Sequence, residues 1–173
     1  SGTPVAFPVG CFLQATAAGE EVLARLVTAA LPKGKRAADL FAGCGPFSFR
    51  VAEKMQGLAI ESDKAAMLAL ARGAGATQGL KPIATETRDL FRRPLLEHEL
   101  NGFDVVVLDP PRAGAEAQVK RLAASKVKDV IYVSCDAASF ARDAATLVAG
   151  GYALEAVTPV DQFRYSHHVE IVA

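Results

Sequence analysis

Four residues in this sequence combine reactive side chains with positions that could hold them still: Cys135 closing "KDVIYVSC", Asp109 in "LDPPRAGA", Glu61 in "GLAIES" and Glu170 inside "VEIVA". A thiolate is a nucleophile, and a helix starting just after Cys135 would stabilise one through its dipole. The plainer alternative is a small buried hydrophobe, the usual state of a single cysteine beside a β run. Asp136 opposes a thiolate unless its carboxylate turns away to cap that helix. Glu170 interrupts an apolar strand, and partial burial would raise its proton affinity toward that of a general base. Alternation of faces could equally point it to water. Asp109 leaves an apolar run and meets two prolines, which either mount its carboxylate rigidly or simply make a turn.

A second group suits ligand binding. "DLFAGCGPFS" (39–48) follows a strand and opens a helix, so Gly43 and Gly45 would let a ligand approach the backbone, or else form an ordinary tight turn. Glu61 ends the next strand, where a carboxylate can accept both hydroxyls of a ribose. A dinucleotide fingerprint would need glycine where Ser48 stands, which weakens the case for NAD. Asp89 could bond an adenine amino group or act as a solvated loop acid. Arg112, after the two prolines, occupies a place where amino-group methylating enzymes carry an aromatic residue, and it is compatible with phosphate or a base edge.

These residues need a frame that brings strand ends together. Short β-rich runs alternate with helical stretches, the pattern of a parallel sheet covered on both faces. Strands are expected at "AADLFAG", "GLAIES", "PIATETRD", "FDVVVLDPP" and "KDVIYVSC". Helices are expected over about 19–31, 47–55, 63–72, 94–100, 116–124 and 138–148. "YALEAVTPVDQF" and "HHVEIVA" read as two more strands, paired antiparallel at the sheet edge, for about seven in all. Ligands in such α/β sheets collect beyond the carboxyl ends of the strands, which would crowd Gly43, Glu61, Asp89, Asp109 and Cys135 onto one rim.

The 173 residues, 51% of them apolar, suit a single domain. Net charge is zero, so no strongly basic face announces a nucleic acid. Cysteines 11, 44 and 135 form no C-x-x-C pair and signal neither a disulfide framework nor a metal site. No stretch approaches the length of a membrane span and no signal peptide is evident, so a cytoplasmic location with no membrane partner is expected.

With its motifs assembled, the chain resembles the catalytic domain of the S-adenosylmethionine (SAM) dependent RNA 5-methyluridine methyltransferases. D-x-F-x-G-x-G, "DPPRAGA", the S-C-x-x-x-[ST]-x-x-R-D run around Cys135 and the terminal H-V-E carry the likeness, from "FLQAT" to "HHVEIV". It implies a Rossmann-like class I methyltransferase fold. It further implies SAM contacts by Gln14, Phe41, Glu61 and Asp109, with Cys135 as nucleophile and Glu170 as base. Gly43, Gly45 and Asp89 join the cofactor set, and Asp109, Arg112 and His168 the substrate set. The partner would be ribosomal or transfer RNA, with no metal in this chain and a monomer favoured. Cytosine-directed relatives carry a second cysteine by the "LDPPR" motif; its absence favours uracil. The chain departs from the family at Thr16, Asp136, Ala137, Arg164 and Ser166. The family's RNA-recognition portion has no counterpart here, so a catalytic domain lacking an upstream RNA-binding portion is expected. A methyltransferase for a small molecule or protein, and a non-catalytic nucleotide-binding module, are the alternatives.

Overall fold

The computed structural model describes residues 17–161 and 169–173. Helix α1 (Ala17–Ala30) leads into β1 (Arg36–Leu40), α2 (Pro46–Ala52), β2 (Gln56–Glu61), α3 (Lys64–Ala76) and β3 (Ile83–Thr87). Then come α4 (Glu97–Leu100), β4 (Val105–Leu108), α5 (Glu116–Ala123), β5 (Asp129–Ser134), α6 (Ala137–Ala149), β6 (Thr158–Val160) and β7 (Glu170–Val172). The seven strands form one sheet in the order β3-β2-β1-β4-β5-β7-β6. Strands β1 to β5 pair in parallel, while β7 runs antiparallel to both β5 and β6. The doubly wound architecture and its antiparallel edge are those expected from the sequence.

Alternation of side chains divides the core between two faces. Val106, Leu108, Ala38, Leu40 and Tyr132 face a cluster completed by Leu100 of α4, Val119 and Leu122 of α5, and Phe140 and Leu147 of α6. Val105, Val107, Ala37, Ile131 and Val133 face the opposite cluster, with Leu23 and Val27 of α1 and Phe47 and Val51 of α2. Strand β4 is buried along its whole length, which is why its sequence is uninterruptedly apolar rather than alternating. Each fully buried Leu or Phe contributes on the order of 2 kcal/mol by leaving water.

The chain begins at the centre of the sheet, winds outward to β3, and returns to β4 beside β1. The crevice between the carboxyl ends of β1 and β4 is therefore the switch point where such folds take ligands. Two elements are shorter than expected. Helix α4 starts only at Glu97, because the Leu95 amide and carbonyl are both held by the buried Gln118 side chain, at 2.8 and 3.1 Å. The strand expected from Tyr152 onward pairs only over Thr158–Val160. Tyr152 is drawn instead toward the interior, where its hydroxyl donates to the Val127 carbonyl at 2.6 Å.

Candidate active site

Strand β1 ends in a loop of left-handed residues: Phe41 (φ 63°), Gly43 (φ 53°) and Gly45 (φ 91°). Gly45 has no room for a side chain, since a Cβ there would lie 2.7 Å from Leu70 of α3. Gly43 borders open space, and its N–H donates to the Glu61 carboxylate at 3.2 Å. The other Glu61 oxygen accepts from the Ser62 amide at 2.6 Å, the Ser62 hydroxyl at 2.8 Å and the Asp63 amide at 3.0 Å. Glu61 thus ties the glycine loop to the end of β2 besides presenting a carboxylate at the rim.

Below the loop, Asp39 is buried on β1. Its Oδ2 accepts the Ser48 hydroxyl at 2.5 Å, and among the described residues its Oδ1 has no hydrogen-bond partner. Burial lifts this carboxyl to about 7, against the pull of the Ser48 bonds and aided by the nearby Glu61 charge. Asp109, at the end of neighbouring β4, donates its amide to the Leu40 carbonyl at 3.2 Å. Its carboxyl is raised well above the ordinary range by burial and by the charges of Asp39, Glu170 and Glu61. An unpartnered buried oxygen beside a ring of carboxylates is costly unless a cation is bound there. The donor set fits a ligand with positive charge at Asp39 and Asp109, and Gly43 leaves open space beside them.

Cys135 stands one residue beyond β5. The β5–β7 ladder pairs Val133 with Val172 and Ser134 with Ile171, so one further step in the same register sets Cys135 opposite Glu170. Directly opposed residues in an antiparallel pair lie on one face with Cβ atoms about 5 Å apart. Glu170 is buried, which raises its proton affinity. The half-buried Cys135 thiol is also pushed up, by burial first, then by Glu170 and Asp109, with Arg112 acting in the opposite direction. The helix start does not reverse this.

Asp136 is not the source of the opposing charge. Its Oδ1 accepts the Ser139 amide at 2.8 Å and caps α6, which holds its carboxyl below the usual range. The backbone around the thiol is further fixed by Ser134, whose hydroxyl donates to the Asp136 carbonyl at 3.0 Å and accepts its amide at 3.2 Å.

Asp143 of α6, which carries no motif signal of its own beyond the R-D dipeptide, locks the two halves of the site together. It is fully buried and accepts the Ala115 amide at 2.7 Å and the Tyr132 hydroxyl at 2.6 Å on one oxygen. Arg142 donates to the other oxygen at 2.8 and 3.0 Å and to the Ala113 carbonyl at 2.9 Å. The loop carrying Asp109 and Arg112 is therefore fastened to the helix that follows Cys135. Asp89 lies beyond β3, where its Oδ1 accepts the Phe91 and Arg92 amides at 2.9 and 3.2 Å. Gln14 and His168 lie outside the described residues. Among the described residues no group of three or more His, Cys, Asp or Glu is placed to hold a metal ion, and no helix is long and apolar enough to cross a membrane. Cys135 is a free thiol.

A doubly wound sheet with a carboxylate-lined glycine loop at the carboxyl rim describes a methyltransferase fold of class I. Comparison with known proteins agrees: residues 6–172 match the tRNA (Uracil-5-)-methyltransferase family, and the chain belongs to it. It is 56% identical, over 98% of its length and 41% of the relative's, to an uncharacterized RNA methyltransferase of Brucella melitensis. Against the 23S rRNA (uracil(1939)-C(5))-methyltransferase RlmD of Chromohalobacter salexigens, identity is 41% over 93% of this chain and 34% of the relative. The chain thus spans about two fifths of the length of curated relatives such as that of Brucella. Among solved structures, the tRNA (uracil-54, C5)-methyltransferase of Pyrococcus abyssi, in complex with S-adenosyl-L-homocysteine, superposes with a TM-score of 0.82 at 28% identity. That match covers 94% of this chain and 39% of the other.

Proposed function

We propose that this chain is the catalytic part of an RNA methyltransferase that uses SAM to methylate carbon-5 of a uridine, in ribosomal or transfer RNA, through a Cys135 adduct at carbon-6. The observation that carries it is the half-buried Cys135 thiol at the end of β5, within reach of the charges of the buried Glu170 and of Asp109. SAM, when bound, supplies an electrophilic methyl group on a sulfonium.

Asp39 and Asp109 offer negative charge to the cationic end of that cofactor, Glu61 accepts from ribose hydroxyls, and Asp89, whose Oδ2 lies 3.7 Å from the Arg92 guanidinium, accepts from an adenine amino group. Phe41, Gly43 and Gly45 form the loop over which it passes. The Cys135 thiolate adds to carbon-6 of the uracil ring, which turns the ring into an enolate with electron density on carbon-5. Carbon-5 takes the methyl group and then bears both methyl and proton. Glu170 removes that proton, the ring double bond re-forms and the thiolate leaves. Arg112 faces the phosphate or base edge of the RNA, and Gln14 and His168 complete the cofactor and substrate sets. The target base must leave its stack to reach the rim, which is cheapest in a single-stranded loop. Part of RNA recognition falls to a portion of the protein outside this chain; the chain itself holds no metal and works in the cytoplasm as a monomer.

The test uses the intact protein with RNA containing 5-fluorouridine and SAM. Fluorine on carbon-5 leaves no proton to remove, so a stable protein–RNA adduct is expected and Cys135→Ala abolishes it. An adduct that survives in Cys135→Ala overturns the nucleophile. Full methyl-transfer activity in Cys135→Ser points instead to a small-molecule or protein substrate. Mapping 5-methyluridine in cells lacking the protein identifies the RNA.

A further inference from the structure

The loop joining β3 to α4, "RDLFRRPL" (88–95), is more rigid than its surface position requires. The Arg88 guanidinium, largely covered, holds both oxygens of Glu99 at 2.7 and 3.1 Å and the carbonyls of Arg93 and Pro94 at 2.7 and 2.9 Å. Asp89 closes the turn from the other side through the Phe91 and Arg92 amides, and the Arg93 amide donates to the Asp89 carbonyl at 2.8 Å. Leu90 and Leu95 anchor it in the core.

What this frame holds outward is an aromatic ring followed by two cations. Phe91 is 49% exposed and the Arg92 side chain 88% exposed, with Arg93 exposed beside it. Arg92 makes only a 3.7 Å ion pair with Asp89, a contact worth little at such exposure. A single exposed phenylalanine needs no explanation by itself. Here the ring is seated at 5.4 Å on Phe41, the left-handed residue that opens the glycine loop. The ring therefore stands at the carboxyl rim of the sheet on its β3 side, with β2, β1 and β4 between it and the strand that carries Cys135.

We infer that Phe91, Arg92 and Arg93 form an RNA contact at the rim, Phe91 stacking on an unpaired base of the strand that carries the target uridine, on the β3 side of the site, and the two arginines meeting that base's flanking phosphates. Aromatic rings interleaved with basic side chains suit single-stranded nucleic acid, because every base has a π-face and every link a phosphate. The carboxylate-lined pocket alongside repels phosphate, so positive charge flanking it is what admits the strand. The inference rests on RNA being the substrate and adds a contact made by this chain itself.

The experiment uses the intact protein, oligouridylate as the binding probe, and RNA from cells lacking the enzyme as the methyl acceptor. Phe91→Ala is expected to raise the KM for RNA roughly five- to a hundredfold, the range for loss of one base stack, with kcat and SAM affinity unchanged. Phe91→Trp restores KM and introduces an indole into a chain that has no tryptophan; its fluorescence is quenched by oligouridylate without SAM. The double variant Arg92→Gln/Arg93→Gln flattens the salt dependence of oligouridylate binding by about 1.4 in slope, at roughly 0.7 per phosphate lost. A weakened SAM affinity with RNA KM unchanged would assign the ring to the adenine and overturn the inference. A lowered Tm without RNA, with both affinities unchanged, would assign it to a contact within the protein and overturn it as well. If the unaltered protein methylates no uridine, the function proposed above fails; if it does and these variants behave like it, this inference alone fails.

Discussion

Glu170 opens β7 beside the end of β5, close enough to Cys135 for its charge to act on the thiol. Burial holds that thiol protonated, and the Glu170 charge acts in the same direction.

Removing that charge gives the first prediction. In Glu170→Gln the Cys135 thiol loses its strongest opposing charge, so its ionisation midpoint moves to lower pH. Alkylation of Cys135 followed by mass spectrometry across a pH series measures it. In the unaltered protein the rate of adduct formation climbs with pH through a midpoint above the ordinary thiol range. The same variant retains methyl transfer and accumulates a methylated adduct; rapid turnover would remove Glu170 from the base role.

Asp136 serves the helix rather than the thiol. Asp136→Ala should cost roughly 1 kcal/mol through loss of the cap, read as a lower denaturation midpoint. Asp136→Asn, which can still accept the Ser139 amide, should cost almost nothing. Neither substitution should move the Cys135 midpoint as far as Glu170→Gln; a larger shift from Asp136→Asn would show that the cap misrepresents where its charge acts.

Asp143 joins the Asp109 loop to α6. Asp143→Ala strands the Ala115 amide and the Tyr132 hydroxyl in the core and should cost about 2–4 kcal/mol. Gly114→Ala attacks the same joint, since a Cβ there would sit 2.5 Å from the Arg142 guanidinium and 2.6 Å from Asp143, at φ 76°. Urea denaturation measures both. Stability unchanged in either variant would mean the two segments are not fastened as described.

Asp39 gives stability a pH dependence of defined sign. Burial pushes its carboxyl up to about 7, above the 3.8 of an ordinary aspartate, so the folded protein binds this proton more tightly than the unfolded chain. The stabilisation is complete below about pH 4 and is lost as pH rises through about 7, at most about 4 kcal/mol over that span. Asp39→Asn should remove this component from Tm measured against pH without cofactor. A cation bound beside Asp39 should in turn expel its proton, making the heat of SAM binding near pH 6.5 depend on the buffer's ionisation enthalpy.

Most of the sheet was legible because burial writes itself into the residues that bear it. "VVVL" has no polar member since β4 is covered on both faces, and the glycine loop shows its left-handed turns. Glu170 stood out as the one charge in "VEIVA". Its register with Cys135 was not legible, because pairing between distant strands leaves no local pattern. Nor was the role of Asp143: an R-D dipeptide on a helix reads as a solvated face until the loop and Tyr132 are brought against it. Helix α4 was overread because the claim of Gln118 on the Leu95 backbone is a tertiary one. The mildly neutral charge likewise hid the rim, where acids collect inside and arginines outside.

Strand β7 is inserted between β5 and β6, and β6 reaches the sheet only through it. The proposed base therefore comes from a strand made after the nucleophile, with α6 and β6 between them. A nascent chain halted before β7 would carry a folded cofactor loop and an exposed thiol but no means of resolving an adduct. Timing alone would keep a half-made enzyme from turning over.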